Sequence, residues 1–415
     1  MNAPNFTGGT VWTGDNLPVM RGMNSACVDL IYLDPPFNSN RTYEAPIGSK
    51  AAGAAFKDAW TPDDVDVHEH GELADRNPAA CAVIEAARRA FGKGMQSYLI
   101  FMAVRLTEMH RVLRDTGSIY LHCDPTASHY LKLLMDGIFG HENFLNEVIW
   151  HYTGGGRSKR YFSRKHDIIL LYTKGKTWTF NVDAVRVPYK DTSGYAKSGI
   201  VAKSGKRYTP HPDGTPVDSV WDIPIINPMA KERTGYPTQK PLALLERIIK
   251  ASSHESDLVF DPFCGCATTL VAADRLRREW AGVDLSPLAI KLVDERIAKD
   301  RGLWGGVTAL TEPPRRTDLG DPPNYRTHRH RLYGEQEGIC TGCDTHFPFR
   351  VMEVDYVLPR SKGGTDHPDN LQLLCSGCNR SKGAAPGPNG GLCRTKPTHT
   401  ATNEQAIFRD GASDI

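Results

Sequence analysis

No stretch of this 415-residue chain approaches the roughly eighteen uninterrupted apolar residues of a membrane-spanning helix, so none is expected. The opening residues, Met1-Asn2-Ala3-Pro4-Asn5-Phe6, lack a basic region followed by an apolar one. A secretory signal is therefore not expected, and the cytosol is the expected compartment. Net charge is only +2, too small to argue for nucleic acid, so local distribution matters more. The Gly-x-Gly-x-x-Gly turn of nicotinamide-dinucleotide folds is missing, and no internal repeat is visible. The ten cysteines of a chain expected in the cytosol do not read as a disulfide framework.

What is present is an alternation of short apolar runs and amphipathic stretches. Strands are expected at Gly9–Thr13, Val28–Leu33, Ser118–His122, Asn146–His151 and Asp167–Tyr172, with helices at Tyr98–Leu113 and His129–Phe139. Residues 41–95 form a long insertion rich in small residues, with no assignable element. Residues 181–232 lose the alternation and carry scattered basic residues with Tyr189, Tyr195 and Tyr208 among them. A second α/β stretch follows, with helices at Pro241–Ala251, Thr268–Arg278 and Pro287–Lys299 and strands at Asp257–Phe260 and Trp280–Val283. The fold class is α/β.

Two turns stand out, each ending a buried-strand pattern. Asp34-Pro35-Pro36-Phe37 follows Val28–Leu33, and Asp261-Pro262-Phe263-Cys264-Gly265 follows Leu258-Val259-Phe260. Ligands of open α/β sheets sit at such carboxyl ends. A carboxylate at Asp34 and a carbonyl held rigid in Pro35-Pro36 can accept both N–H groups of a flat amine, while Phe37 offers a stacking face. Asp321-Pro322-Pro323-Asn324 is a built-in control: it follows no strand, lacks the aromatic and reads as linker. At the second turn small residues admit a ligand to the backbone, and Asp284, ending the next strand, can bind ribose hydroxyls. Cys264 and Cys266 read as small loop residues beside a cofactor, with a metal pair as the alternative.

These residues resemble the amino-methyltransferases of DNA, specifically the beta class of permuted adenine-N6 enzymes, over roughly residues 8–300. The resemblance implies a Rossmann-like sheet in permuted order that uses S-adenosylmethionine. It makes Asp34, Pro35, Pro36 and Phe37 the catalytic motif, and Asp261, Pro262, Phe263 and Gly265 the cofactor motif, with Cys266 where the family usually has Gly. It assigns Asp284 to the ribose, Asp15 to the cofactor adenine, and Thr238 and Lys240, within Pro237-Thr238-Gln239-Lys240-Pro241, to the methionine end. It places target recognition in 181–232. Double-stranded DNA is the implied partner, a homodimer is a further family expectation, and the base must leave the duplex before its amine can react. Cytosine N4, or RNA, would accept the same hydrogen bonds and stays open. A basic loop, Gly154-Gly155-Gly156-Arg157-Ser158-Lys159-Arg160-Tyr161 continuing to Lys165, is expected to meet phosphates through Arg157, Lys159, Arg160 and Lys165. A solvated basic loop is the plainer alternative.

From about 308 composition turns Pro- and Arg-rich, giving an expected linker over 301–332, a small module over 333–383 and a disordered tail over 384–415. Cys340, Cys343, Cys375 and Cys378 form two Cys-x-x-Cys pairs, the donor set of a structural zinc. The intervening residues resemble the zinc-stapled branch of the HNH nucleases, a ββα unit. The resemblance makes Asp355 and Asn379 ligands of a catalytic divalent ion such as magnesium, and Asn370 a brace. It also marks a departure: Tyr356 stands where the general-base histidine is expected. Tyrosine, with an ordinary pKa of about 10, is a poor base at neutral pH. His346 and His367 are the nearest substitutes in sequence. Three readings remain: a methyltransferase with a DNA-holding module, a fused restriction-modification enzyme, and a nuclease or binding protein that uses the first domain as a scaffold.

Overall fold

The computed structural model describes residues 2–37, 41–44, 55–58, 73, 76–154, 157–301, 306–318, 325–364 and 370–384. The chain divides into two compact units, 1–319 and 320–415.

The first unit is built on a nine-stranded sheet. Its strands, in chain order, are β1 (Thr10–Thr13), β2 (Val28–Leu33), β5 (Leu113–Cys123), β6 (Phe144–His151), β7 (His166–Thr173), β10 (Val220–Asp222), β11 (Leu258–Asp261), β12 (Glu279–Asp284) and β13 (Thr308–Leu310). The remaining labels, β3 (Arg41–Glu44) with β4 (Ala55–Asp58) and β8 (Ile200–Val201) with β9 (Arg207–Tyr208), are small separate hairpins. Spatial order is β10-β6-β7-β5-β2-β11-β12-β1-β13.

Central strands carry near-continuous apolar runs because both of their faces are covered. On β2, Ile31 and Leu33 join one core with the helices Asn16–Gly22, Pro78–Phe91, Lys93–Val112 and Ser128–Phe139. Leu30 and Tyr32 point to the other, with Leu242–Ser252, Thr268–Arg275 and Pro287–Arg301. The same alternation recurs on β11, where Phe260 faces the first core and Val259 the second.

Strand β7 runs antiparallel to β5 and β6, whereas the other pairings in this sheet are parallel. The loops after β2, β6, β10, β11 and β12 therefore leave the sheet at one common edge. The chain moves from β2 to β5 on one side and from β11 to β12 on the other, although β2 and β11 are neighbours. This divergence opens a crevice between their carboxyl ends.

Two expected boundaries shift. The insertion 41–95 contains the helix Pro78–Phe91, started by Pro78 at its first position and by Asn77, whose side chain accepts the Ala80 N–H at 3.0 Å. The expected linker begins later than its composition indicated. Residues 308–310 form β13 on the edge of the sheet, and the Asn24 side chain binds Thr317 at 2.8–2.9 Å. The control motif at 321–324 and the tail from 385 lie outside the described residues, as does His367.

The second unit pairs β14 (Met352–Tyr356) antiparallel with β15 (Leu371–Cys375), followed by the helix Ser376–Lys382. Leu332 from the helix Arg329–Glu335 packs with Met352, Leu373 and Leu374 in a thin core.

Candidate active site and metal centre

Every residue assigned to the amine and cofactor sites lines one cavity of about 530 Å³ at the β2/β11 crevice. Asp34 to Phe37 contribute one wall, Asp261 to Gly265 the opposite one, and Asp15, Thr238, Lys240 and Asp284 close the rest.

The Asp34 carboxylate is held from one side only. Lys240 Nζ donates to Oδ2, while Oδ1 is buried and has no hydrogen-bond partner among the described residues. Lys240 is itself buried and lies 5.3 Å from the centroid of the Phe37 ring. Its loop is locked by Gln239, which accepts from Thr234 N at 2.8 Å and donates to the Glu232 carbonyl at 2.8 Å.

On the other wall, Asp284 accepts N–H groups from Gly265 at 2.9 Å and Ser286 at 2.8 Å, leaving lone pairs for hydroxyl groups. Gly265 has φ +50°, and a Cβ there would meet the Tyr236 ring at 3.1 Å, so the turn requires glycine. Burial pushes the carboxyl pKa of Asp261 up to about 7 and raises that of Asp284. Cys264 and Cys266 are both buried thiols, and burial raises their pKa values. Cys266 turns toward Thr268 and Arg296 and is not part of a cluster of potential metal ligands among the described residues.

Several participants escaped the sequence reading. Arg105 Nε donates to Asn16 at 2.7 Å, its guanidinium grips Asp15 at 2.7 Å, and it lies 3.5 Å from the Phe101 ring centroid. Asn16 in turn donates to the Pro262 carbonyl at 2.8 Å, tying the Asp261–Gly265 turn to Arg105 and the segment that carries Asp15. An arginine, Arg105, interrupting the apolar run Tyr98–Leu106 was the available signal. Behind Phe37, the buried His122 ring stacks at 5.9 Å, bonds Tyr32 at 2.8 Å and pairs with Asp167 at 3.1 Å. Arg157, Lys159 and Arg160 are exposed on the loop after β6, and Lys165 is half-buried near its base.

Residues 28–295 match the family described as DNA methylase, N6/N4 type. The chain belongs to that family. Residues 340–385 match the HNH endonuclease family. The type II methyltransferase M.HpaI of Haemophilus parainfluenzae is 34% identical over 54% of this chain and 67% of its own length. The DNA adenine methyltransferase YhdJ of Escherichia coli K12 is 27% identical over 68% of this chain and 80% of its own. Among solved structures, the cytosine-N4-specific PvuII DNA methyltransferase is 15% identical, covering 75% of this chain and 98% of its own, with a TM-score of 0.42.

In the second unit of this DNA methylase, the sulfur atoms of Cys340, Cys343, Cys375 and Cys378 lie within 4.8 Å of one another. Backbone N–H groups of Gly342 and Cys375 point at Cys340 Sγ from 3.4 and 3.2 Å, favouring its thiolate. Four converging sulfurs fit a tetrahedral structural zinc. The expected nuclease ligands do not fit a divalent ion in the same way. Lys382, whose side chain is 1% exposed, places its ammonium 2.6 Å from Asp355 Oδ2, and Asn379 donates to Glu353 at 2.6 Å. Asn370 braces the loop as expected, bonding Leu358 N at 2.8 Å and O at 2.9 Å.

Proposed function

We propose that the protein transfers the methyl group of S-adenosylmethionine to N6 of an adenine extruded from double-stranded DNA. The observation that carries this reading is Asp34 Oδ1, a buried acceptor lining the crevice with no partner among the described residues. An acceptor left unmade in a buried site is costly, and an amine N–H would satisfy it. The Pro35 carbonyl would take the second N–H, shifting the nitrogen toward a nucleophilic, pyramidal shape. Lys240 would hold Oδ2 so that Oδ1 stays aimed at the base, and Phe37 would stack on it. When bound, S-adenosylmethionine supplies an electrophilic methyl group. The residues fitted to it are Asp284 at the ribose, Asp15 and Phe263 around the adenine, Asp261, Pro262 and Gly265 at the turn, and Thr238 near the methionine end. Orientation across the crevice would provide most of the acceleration.

Adenine rather than cytosine N4 is supported by Phe37 in the motif and by the likeness to YhdJ. Arg157, Lys159, Arg160 and Lys165 would hold phosphates, and 181–232 would read the target. We assign the second unit a zinc-stapled, DNA-holding role. The Lys382–Asp355 pair and Tyr356 support this over the alternative of an active nuclease in a fused restriction-modification enzyme.

The test is mass spectrometry of nucleosides from diverse DNA incubated with protein and S-adenosylmethionine. N6-methyladenine is expected from the wild type. Asp34→Asn should lower kcat by about 10²–10³-fold, the usual loss for one preorganised transition-state hydrogen bond. N4-methylcytosine would overturn the choice of base, and no modified base would overturn the transferase reading.

A further inference from the structure

The most exposed large apolar side chains among the described residues are Phe162 (98%), Met229 (91%), Leu285 (76%) and Tyr161 (67%). All four sit on loops that leave the carboxyl ends of β6, β10 and β12, the edge that carries Asp34. Apolar side chains this exposed on the edge that carries Asp34 mark a face that becomes covered.

The loop after β6 is built to project its tip. Tyr152 N bonds the Lys165 carbonyl at 3.0 Å and closes the base of the loop. Ser158 organises the turn: its hydroxyl accepts from Arg160 N and Tyr161 N at 3.2 Å, and its own N–H donates to Ser163 Oγ at 3.0 Å. Phe162 is thereby held outward, next to the exposed Arg160 and Arg164. Cations and an outward aromatic on one short turn suit a polyanion with a stacked interior better than an apolar protein surface. An apolar wedge can enter a base step and hold it unstacked.

We propose that Phe162 is an inserting residue, entering the DNA stack where the target base leaves while Arg160 and Lys159 grip the flanking phosphates. The inference rests on the transferase reading above and adds how the base is kept out of the helix. Phe162 touches neither cofactor nor reacting atoms, so it acts by positioning.

Two duplexes carrying the mapped methylation site provide the test, one fully paired and one lacking the base opposite the target. Extrusion costs least where pairing is already lost. Phe162→Ala is expected to lower kcat/KM on the paired duplex by about 10–100-fold and on the other by less than about threefold. Phe162→Trp should keep most activity on both. S-adenosylmethionine affinity, measured by calorimetry, should be unchanged in each variant, because the exposed ring supports no packing. Arg160→Ala, by contrast, should weaken both duplexes equally and flatten the salt dependence of binding. Equal loss by Phe162→Ala on both duplexes, or no loss on either, would overturn insertion alone. A wild-type protein that methylates neither duplex would overturn the underlying reading instead.

Discussion

Asp261 shows how one buried carboxyl couples the crevice to pH. It is 2% exposed, accepts the Phe263 N–H at 3.0 Å, and has Asp34 and Asp284 as acidic neighbours. Burial, the largest cause, raises its pKa from 3.8 to about 7. The folded protein therefore binds a proton more tightly than the unfolded chain does. That contribution is fully present below 3.8 and is lost as pH rises through about 7. Asp29 and Asp284 are raised by burial too, so they act in the same direction. These carboxyls should lower the melting temperature of the ligand-free protein as pH rises across this window, against His110, whose burial lowers its pKa from 6.5 to about 4 and acts the other way. Asp261→Asn, which keeps the acceptor but cannot ionise, should show a shallower fall. Identical slopes in melting curves taken at several pH values would remove Asp261 from this role.

At the level of elements, the sequence was most legible where burial alone decides structure. The run Val28–Leu33 is a buried parallel strand and could be little else, and Asp34 is read from its end. The same logic located Asp261 and Asp284. It failed where pairing is a tertiary matter. Thr308-Ala309-Leu310 is exposed, lies among prolines and arginines, and becomes a strand only because β1 offers its backbone. Arg105 and Asn16 were missed for a related reason, since their partners lie far away in sequence. The cysteine pairs were legible because metal spacing is local at each end, although β15 is needed to bring the ends together. That joining of ends gives a prediction. Cys375→Ser should release about one equivalent of zinc, seen with a metallochromic dye, and should lose the β14/β15 pairing, because the core beneath it is thin. Methylation by the first unit should stay within about threefold of wild type, since Cys375 contributes nothing to the crevice. A variant that retains its zinc would show that four sulfurs are not required.

Across the whole molecule, two family matches meet in one chain, and the two units hold their key carboxylates differently. In the first, a buried carboxylate oxygen has no partner among the described residues and belongs to a residue that lines a cavity. In the second, Oδ2 of Asp355 is already taken by a buried ammonium and by Gln372 at 3.3 Å. A divalent ion that took Asp355 Oδ2 would have to displace Lys382 and leave that cation buried without its partner, a change that typically costs about 3–5 kcal/mol. Even a bound ion would find tyrosine where a base is needed. Unmodified DNA incubated with the wild-type protein and magnesium or manganese should therefore stay intact on a gel. The sharper test is Tyr356→His, which restores the missing base and leaves Lys382 in place. If the ammonium is the decisive block, this variant is as inert as the wild type. Cleavage by Tyr356→His would mean that the Lys382–Asp355 pair opens to admit a metal, and that the loss of one histidine alone silenced the module.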